Sequence, residues 1–423
     1  MKILVLVTND IMNDSRVKRV CKTLSSCADV TLFAKRSQYL PDEESSDGYN
    51  IRRITGPLYL NKKKKNKLEN APVFKWFFDL RKKIDKYKVK TSGFKIIFEK
   101  IKDHDYDNLF EINTEAEKQH IKDVLSENKI FAEEGLILSP EVVYCNDLDT
   151  LICGAKLKNK INCKLIYDAH EIFSEQFINK SDAWKSYFFE LEKSLIYFAD
   201  HIIVVNESIG KELVRRYGIK NFTVVPNCAR FYEVAEIHQN KIKQILYHGR
   251  FEINRGIEEL VEAMRYIKGA ELILRGDGII KEKLLEIIKE HKLKRKIIFK
   301  DMLPADKVVE ESARADIGVI AYIPNCLNNY LCTPNKLFEY IMAGLCVCGS
   351  DLPELKNYIV GGAIGGVFDP YKPEDIAYKL NKILNDEKLL NEYKNNSRKL
   401  ARENLNWEIQ EEKIKNILKL CGK

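Results

Sequence analysis

Two arginines and two glycines in the stretch HGRFEINRG form the pattern in this sequence that best suits the binding of a diphosphate. Arg250 and Arg255 flank a turn that opens a predicted helix over residues 257–266, and each guanidinium can bind two phosphate oxygens at once. Gly249 has no Cβ, so a backbone can approach it closely. The alternative interpretation is that both arginines are solvated on the surface.

A second candidate anion site lies in Thr333–Leu355, TPNKLFEYIMAGLCVCGSDLPEL. This segment predicts a helix, ended by Gly344, that runs into a buried strand. A helix start offers free backbone N–H groups and the positive end of the helix dipole, which favour a phosphate. The residues that begin this helix are Thr333, Pro334, Asn335 and Lys336. Glu339 follows one turn later, where its carboxylate can accept a hydrogen bond from a sugar hydroxyl. The alternative is an ordinary helix–strand unit of an α/β domain.

A histidine and an arginine in the first half of the chain are candidates for the same chemistry. His170 follows a predicted strand and stands beside Asp168 and Glu171, so it is placed to titrate or to hydrogen-bond a substrate. It could equally be satisfied by those neighbours. Arg16, on the first turn of a predicted helix, could reach a phosphate or pair with Asp14.

The pair Asp147-Leu-Asp149 resembles a metal-binding diad. The apolar residues around it predict the start of a helix, and acidic residues are favoured at that positive end. We therefore interpret both aspartates as helix caps and predict no metal site.

Strand-like runs such as Tyr49–Ile54 alternate with helical segments such as Glu115–Glu127, which predicts α/β domains with parallel sheets. The pattern pauses at the polar segment Phe231–Lys243, a predicted linker, and restarts at Gln244–Tyr247. Ligands of such sheets gather beyond the carboxyl ends of the strands. We predict a first domain over 1–228, a second over 229–403 and a closing helix over 404–423.

Positive charge is concentrated in one segment. The 423 residues carry a net charge of +8, whereas residues 61–102 alone hold fourteen Lys and one Arg against four acidic residues, a net +11. The rest of the chain is therefore slightly acidic, which does not suit a nucleic-acid-binding protein. Aromatic residues such as Trp76, Phe77 and Phe78 are interleaved with these lysines between residues 61 and 107. The segment suits either an anionic membrane surface or a helix whose aromatic face joins the core.

The eleven cysteines do not show the paired spacing of a zinc site or a disulfide framework. The beginning, MKILVLVTNDIMND, predicts a buried strand and not a secretory leader. Apolar runs stay shorter than the roughly 18 residues of a membrane span. These features predict a cytoplasmic protein with reduced thiols.

In order and spacing, the motifs NDSRV, YDAHE, VVPN, HGRFEINRG, LRGDG and PNKLFEYIMAGLCVCGSDLPEL resemble those of the family 4 (group 1) glycosyltransferases. The resemblance covers nearly the whole chain and is strongest in the second half. It implies the GT-B fold, with two Rossmann-like parallel-sheet domains facing across a cleft and a closing helix that crosses back to the first domain. It also implies retaining transfer of a sugar from a nucleotide diphosphate sugar, with no metal and no cofactor.

The resemblance also implies roles for particular residues. Arg250 and Arg255 match the pair that holds the diphosphate, and Glu339 matches the glutamate expected near the ribose. His170 matches the residue that faces the donor sugar and acceptor. Other expected contacts to the nucleotide sugar are Arg16, Gly249, Gly276, Met302 and Leu303 (these two beside the base), Thr333, Pro334, Asn335 and Lys336. One position departs from the family: Leu331 stands eight residues before Glu339, where a second glutamate is usual.

The expected partners are a nucleotide-sugar donor and a glycan or lipid-linked acceptor of surface polysaccharide synthesis. Residues 61–102 could dock such an enzyme on the inner face of the cell membrane. Two alternatives stay open: a non-catalytic sugar-nucleotide-binding module and a nucleotide-sugar epimerase, which would need carboxylates as acid and base.

Overall fold

The computed structural model describes residues 1–37, 39–54, 115–176, 180–234 and 242–422. The described chain divides into two compact units. Unit 1 comprises Met1–Val224 and Lys413–Lys423, and unit 2 comprises Val225–Glu412. The basic segment 61–107, with the membrane contact predicted for residues 61–102, lies outside the described residues.

Unit 1 contains an eight-stranded sheet in the order β3-β4-β2-β1-β5-β6-β7-β8. All neighbouring pairs are parallel except the edge pair of β3 and β4. The strands are β1 (Lys2–Leu6), β2 (Asp29–Lys35), β3 (Glu43–Ser46), β4 (Tyr49–Ile54), β5 (Val142–Asn146), β6 (Lys164–Ala169), β7 (His201–Val204) and β8 (Thr223–Val224).

The described helices of unit 1 are α1 (Ser15–Ser25), α2 (Glu115–Leu138), α3 (Leu148–Ile161), α4 (Asp182–Leu195) and α5 (Glu207–Tyr217), with short 3-10 turns at Phe173–Glu175 and Ile196–Phe198. Helix α2 runs well beyond the predicted end at Glu127. Its inner face continues through Phe131, Ala132 and Gly135, which are buried. Gly135 lets α2 approach α3 closely, since a Cβ there would meet Leu157 Cδ1 at 2.9 Å.

Unit 2 contains a six-stranded parallel sheet in the order β11-β10-β9-β12-β13-β14. The strands are β9 (Lys243–His248), β10 (Ala270–Arg275), β11 (Ile297–Lys300), β12 (Ile317–Ile320), β13 (Cys346–Ser350) and β14 (Gly365–Phe368). The helices are α6 (Ile257–Ala263), α7 (Lys281–Glu290), α8 (Val308–Ser312), α9 (Leu327–Leu331), α10 (Asn335–Met342), α11 (Pro353–Ile359), α12 (Pro373–Leu384) and α13 (Glu387–Glu403), followed by α14 (Trp407–Cys421), whose residues from 413 onward belong to unit 1.

Both sheets reverse their strand order at one point. In unit 1 the reversal falls between β1 and β5, and in unit 2 it falls between β9 and β12. The loops that leave such a pair of strands diverge to opposite faces of the sheet, which opens a crevice beyond the carboxyl ends. Topology therefore favours two ligand positions, one after Leu6 and Asn146 and one after His248 and Ile320.

Both faces of the unit 2 sheet are covered by hydrophobic cores. Along β9, Ile245 and Tyr247 pack into one core while Leu246 packs into the other. The same alternation holds on β13, where Cys346 and Cys348 lie opposite Val347. A strand with both faces buried needs a continuous apolar run, which is why these strands are recognisable in the sequence.

Local chemistry explains most helix ends. Asp14 and Asn206 accept hydrogen bonds from the backbone N–H groups of Val17 and Ile209 and so cap α1 and α5. The left-handed backbone predicted for Gly344 after α10 is confirmed, with φ +69°. The closing helix starts at Trp407 and not at Asn404, since the Asn406 side chain accepts the N–H of Ile409 as a cap.

The hairpin of β3 and β4 was not predicted. Its two-residue turn is Asp47-Gly48, with φ +49° and +86°, which is a strong sequence signal for such a hairpin. Strand β3 itself is Glu43–Ser46, a polar edge strand without the apolar residues by which the other strands are found.

In the part of the chain that the structure describes, no helix is both long enough and apolar enough to cross a bilayer.

Two glycines with similar backbone angles provide a test of close packing in unit 2. Gly256 and Gly269 have φ of +63° and +73°, but a Cβ on Gly256 would lie 1.8 Å from Ala321 O, while one on Gly269 would meet nothing within 4 Å. We expect Gly269→Ala to lower the free energy of unfolding by about 1 kcal/mol and Gly256→Ala by about 3 kcal/mol or more. Urea unfolding of both variants measures the difference; equal losses would contradict the close approach of α6 to β12.

Candidate functional site

The unit 2 candidate site lies at the reversal point of its sheet, where β9 and β12 end. Arg255 and Lys336 both carry their charge over aromatic rings there. The guanidinium Cζ of Arg255 is 4.3 Å from the ring centre of Tyr322, and Lys336 Nζ is 3.8 Å from that of Tyr247 and 5.3 Å from that of Tyr322. Aromatic faces attract cations and hold them in a partly dehydrated place.

Neither cation has an acidic partner among the described residues. No hydrogen bond or ion pair joins the side chain of Arg255 or Lys336 to a described Asp or Glu side chain. Lys336 is 7% exposed. Burial, followed by the charge of Arg255, lowers the pKa of Lys336 to about 7, against the weaker opposing effect of Glu339. Two positive charges thus stand close together in a place that disfavours them, and an anionic ligand would relieve both costs.

Two glycines shape the backbone around these cations. Gly276 has φ +152°, and a Cβ there would lie 1.9 Å from Gly249 O. Gly249 itself has φ +128°, and its open side faces Lys336, whose Nζ would stand 3.3 Å from an added Cβ. Gly276 is therefore the residue that permits the two backbones to approach. The missing Cβ of Gly249 leaves room for the Lys336 side chain and not for a backbone, so the reason predicted for Gly249 is wrong.

Arg250 is arranged differently from Arg255. Its side chain is 74% exposed, and its Nε forms an ion pair with Glu252 Oε1 at 2.8 Å. Its carbonyl accepts a hydrogen bond from the Tyr247 hydroxyl at 3.2 Å, so the backbone is anchored while the side chain extends into solvent. The two arginines are near in sequence, but only Arg255 is stacked on an aromatic ring.

Helix α10 presents its first turn to this site. Pro334 occupies the N-cap position, one residue earlier than the first-turn place predicted for it, and Asn335 is the first helical residue. Thr333 is buried, whereas Asn335 is exposed and accepts a hydrogen bond from the Asn227 side chain. The helix start therefore carries Lys336 directly into the cluster of cations and rings.

Glu339 lies on the next turn of α10. Its Oε2 stands 3.1 Å from Nε2 of His248, the last residue of β9. His248 was not among the site residues predicted from the sequence, although it directly precedes Gly249 in the HGRFEINRG stretch. The signal that could have found it was its position at a strand end, where polar side chains of a parallel sheet gather.

Met302 and Leu303 occupy the bend that follows β11. Met302 is 58% exposed and Leu303 is half-buried, so both offer apolar surface at the carboxyl edge of the sheet. Leu331 ends a short helix, α9. Cys326 is the N-cap of that helix, and its sulfur accepts the backbone N–H of Asn329.

Unit 1 has its own polar cluster at the reversal point of its sheet, centred on the fully buried Asp168. Arg16 donates to both oxygens, with Nε 3.1 Å from Oδ2 and Nη2 2.8 Å from Oδ1, and the Tyr144 hydroxyl donates to Oδ2 at 2.7 Å. Burial alone would raise the pKa of Asp168, but the charges of Arg16 and then His170 lower it well below its usual range.

This cluster corrects the predictions for Arg16. The expected alternative partner, Asp14, instead caps α1. The guanidinium of Arg16 is 3% exposed and is bound in bidentate fashion by Asp168, so it is engaged with a carboxylate and not open toward a phosphate.

His170 lies between two carboxylates. Nδ1 is 2.9 Å from Asp147 Oδ2 and Nε2 is 3.2 Å from Asp168 Oδ2. Burial lowers the pKa of the imidazole, but the charges of Asp147 and Asp168 outweigh this and raise the pKa to about 10. At neutral pH His170 is therefore an imidazolium, a fixed positive charge and not a general base.

The two aspartates of the Asp147-Leu-Asp149 pair have different roles. Asp147 occupies the N-cap position of α3 but makes no capping bond, so the cap predicted for its side chain is wrong. Its left-handed backbone, φ +60°, directs the carboxylate to the backbone N–H and ring of His170 instead. Asp149, in the first turn, accepts from the Thr8 hydroxyl, and burial followed by the charge of Asp147 raises its pKa to about 7. Within the described ranges, no three His, Cys, Asp or Glu side chains are grouped closely enough to hold a metal ion.

Comparison with known proteins identifies the family. Residues 122–229 match the family described as Glycosyltransferase Family 4, and residues 231–400 match the one described as Glycosyl transferases group 1. Together these matches cover about two thirds of the 423 residues. The chain therefore belongs to the family 4 (group 1) glycosyltransferases, and the resemblance inferred from its motifs is confirmed.

Solved structures identify the fold as GT-B. Sucrose-phosphate synthase from Thermosynechococcus elongatus is similar with a TM-score of 0.73 and 16% identity, covering 99% of this chain and 98% of that one. HepE from Anabaena is similar with a TM-score of 0.65 and 13% identity, covering 99% and 100%. A relative from Methanocaldococcus jannaschii, described as an uncharacterized glycosyltransferase, is 25% identical over 186 residues, 43% of this chain and 46% of that protein. The chain spans about half the length of the curated relatives it matches.

The charge on His170 gives a prediction for stability. Its pKa rises from 6.5 to about 10 on folding, so its contribution is complete below about pH 6.5 and is lost as the pH rises through 10. We expect His170→Gln to cost most stability near pH 6 and progressively less toward pH 10. Urea unfolding of wild type and variant between pH 6 and 10 measures this difference, with His291→Gln as the control. A difference that does not depend on pH would contradict the assignment.

Proposed function

We propose that this protein is a retaining, metal-independent glycosyltransferase that moves a sugar from a nucleotide diphosphate sugar to a glycan or lipid-linked acceptor. The observation that supports this most is the pair of cations Arg255 and Lys336, which lie over aromatic rings without an acidic partner among the described residues. Such a pair, with Lys336 in the first turn of an eight-residue helix, is suited to a ligand with two adjacent negative charges. A diphosphate is such a ligand.

The remaining donor contacts follow from this position. Gly249 brings its backbone beside Lys336, where the phosphates are assigned, and Gly276 permits that backbone position. Arg250 can turn from Glu252 toward the phosphates. Glu339, one turn along α10 from Lys336, is assigned to the ribose hydroxyls. Met302 and Leu303 provide apolar surface for the base. HepE from Anabaena was crystallised in complex with UDP, which supports a uridine nucleotide as the first probe.

In this proposal the protein's cations replace a metal. Charge develops on the departing diphosphate as the bond from the sugar C1 to the phosphate oxygen breaks, and fixed positive groups stabilise that charge. Arg250, Arg255 and Lys336 supply these groups, so neither a metal nor a cofactor is required. The acceptor oxygen attacks C1 on the face that the diphosphate leaves, and its proton passes to the departing phosphate oxygen.

Unit 1 is assigned to the acceptor side. His170, as an imidazolium between Asp147 and Asp168, cannot take the acceptor's proton at neutral pH, so we assign it to binding and orientation of the sugar or acceptor. This role agrees with a mechanism in which the leaving phosphate acts as the base. It also speaks against an epimerase, which needs a free acid and base around the sugar.

We further propose a role in surface polysaccharide synthesis at the cytoplasmic face of the membrane. The support is the cluster of lysines and aromatic residues at 61–102, whose composition suits an anionic bilayer. Liposome flotation of wild type and of a Trp76/Phe77/Phe78 triple alanine variant tests this part separately; equal binding would contradict it.

The donor site is tested by removing its cations one at a time. We expect Arg255→Ala and Lys336→Ala to weaken binding of UDP or GDP at least about tenfold, because each removes a charge-assisted contact. Turnover of the nucleotide sugar should fall at least as much, and Arg250→Ala should also reduce it strongly. Isothermal titration and a product assay without magnesium measure these effects.

Two cations on exposed tyrosines serve as matched controls. Arg265 lies 5.4 Å from the ring of Tyr266, and Lys379 lies 5.8 Å from that of Tyr378. Their alanine variants should behave like wild type. Binding of a diphosphate without any transfer or hydrolysis would favour the non-catalytic module, and a protein that binds none of UDP, GDP, ADP or CMP would refute the donor site.

The titration of Lys336 gives a pH prediction. In the ligand-free protein its pKa is about 7, and a bound diphosphate favours the ammonium, so the complex holds more protons than the free protein above pH 7. The affinity for UDP should therefore fall as the pH rises from 7 to 9, by up to about tenfold per unit. In Lys336→Arg this dependence should largely vanish, because a guanidinium stays charged. Parallel curves for both proteins would show that Lys336 does not titrate at the site.

A further inference from the structure

Lys336 and Glu339 should attract each other, yet they do not form an ion pair. They are three residues apart on α10 and have opposite charges, the spacing at which helical side chains meet. The charge of Glu339 acts on Lys336, but the two are not within ion-pair distance. Instead, Glu339 Oε2 stands 3.1 Å from His248 Nε2. The carboxylate that would otherwise neutralise the lysine thus lies against the imidazole, in a close contact whose geometry is not that of a hydrogen bond.

We propose that His248 is a positioning residue, which holds Glu339 toward the ribose and keeps it from pairing with Lys336. This inference rests on the proposed donor site. Because of His248, one helical turn presents a cation for the diphosphate and a carboxylate for the sugar hydroxyls without the two cancelling each other. His248 acts through Glu339 and needs no contact with the nucleotide.

The structure fixes His248 from several sides. Its backbone N–H donates to the Tyr340 hydroxyl at 3.1 Å, and that hydroxyl lies 3.3 Å from Leu246 O, which accepts from it. The imidazole and the Tyr340 ring form a T-shaped pair, with centroids 4.9 Å apart and planes at 86°. Tyr340 directly follows Glu339, so both partners of the histidine belong to the same turn of α10.

Tyr340 is in turn fixed by the sheet. It is fully buried, and it can lie against β12 only because Gly318 has no side chain: a Cβ there would stand 2.4 Å from Tyr340 Cδ2. A rigid ring therefore sets the position of His248, and His248 sets that of Glu339. The half-buried Glu339 has several side-chain rotamers of its own, so without this contact the cation three residues before it is an available alternative partner.

A double-mutant cycle tests the proposal with two probes, UDP and inorganic pyrophosphate. Pyrophosphate lacks the ribose and reports on the cations alone. We expect His248→Ala to weaken binding of both probes about tenfold, since the released Glu339 neutralises Lys336. Glu339→Gln alone should weaken UDP binding and leave pyrophosphate binding at least as strong as in wild type. In the Glu339→Gln background, His248→Ala should have no further effect on either probe.

Further variants separate positioning from general damage. His248→Gln keeps a polar side chain against Glu339 and should restore UDP binding to within about threefold of wild type. His291→Ala, elsewhere in unit 2, should bind both probes like wild type. Thermal unfolding of every variant checks that it is folded. If His248→Ala is unstable, His248→Leu replaces it in the cycle, because leucine also lacks a polar atom but fills more of the volume.

The outcomes distinguish this inference from the proposed function. If His248→Ala weakens pyrophosphate binding equally in the wild-type and in the Glu339→Gln background, His248 acts directly and the positioning role is wrong. If His248→Ala and His248→Gln bind both probes like wild type, it has no role. In both cases the donor site stands. If wild type binds neither UDP nor pyrophosphate, the donor site itself is refuted, and this inference with it.

Discussion

The buried positive charge of Arg255 and Lys336 is the constraint on which the proposed donor site depends. A cation in a protein interior normally has a carboxylate beside it, because the loss of hydration costs several kcal/mol. Here tyrosine rings lie beneath the cations, and the nearest carboxylate on the same helix, Glu339, is turned toward His248. The described residues therefore do not neutralise this positive charge. The lowered pKa of Lys336 reflects the free-energy cost of burying its ammonium group beside Arg255. A bound diphosphate would remove it.

In unit 1, by contrast, the buried charges are paired with charges of opposite sign. Asp168 is surrounded by Arg16, Tyr144 and His170, and the histidine is shared with Asp147. Every charge in this group has a partner of opposite sign, so the group is suited to holding its side chains in fixed positions and not to attracting an ion. Two sheets with the same kind of reversal point thus offer different electrostatic surfaces. That difference is the physical basis for our proposal that unit 2 binds the donor and unit 1 the acceptor.

Much of the architecture could be predicted from the sequence, because buried parallel strands are continuous apolar runs and helix ends carry recognisable caps. Strands such as Tyr49–Ile54 and the helix end at Gly344 were predicted residue by residue. The polar edge strand Glu43–Ser46 was missed because it lacks that apolar signal. The end of α2 was placed too early because the helix continues through residues whose burial depends on α3.

The sequence by itself determined which residues stand at strand ends and helix starts: Gly249 and Arg250 after β9, Lys336 and Glu339 on α10, and His170 after β6. These positions follow from local periodicity and caps. Only the tertiary structure decided the partners. Arg16 and Asp168 are 152 residues apart, and they meet because β1 and β6 flank β5 in the sheet. His248 meets Glu339 because α10 packs beside the end of β9. Strand order and helix packing bring distant charges together, and no local pattern encodes which charge is left without a partner.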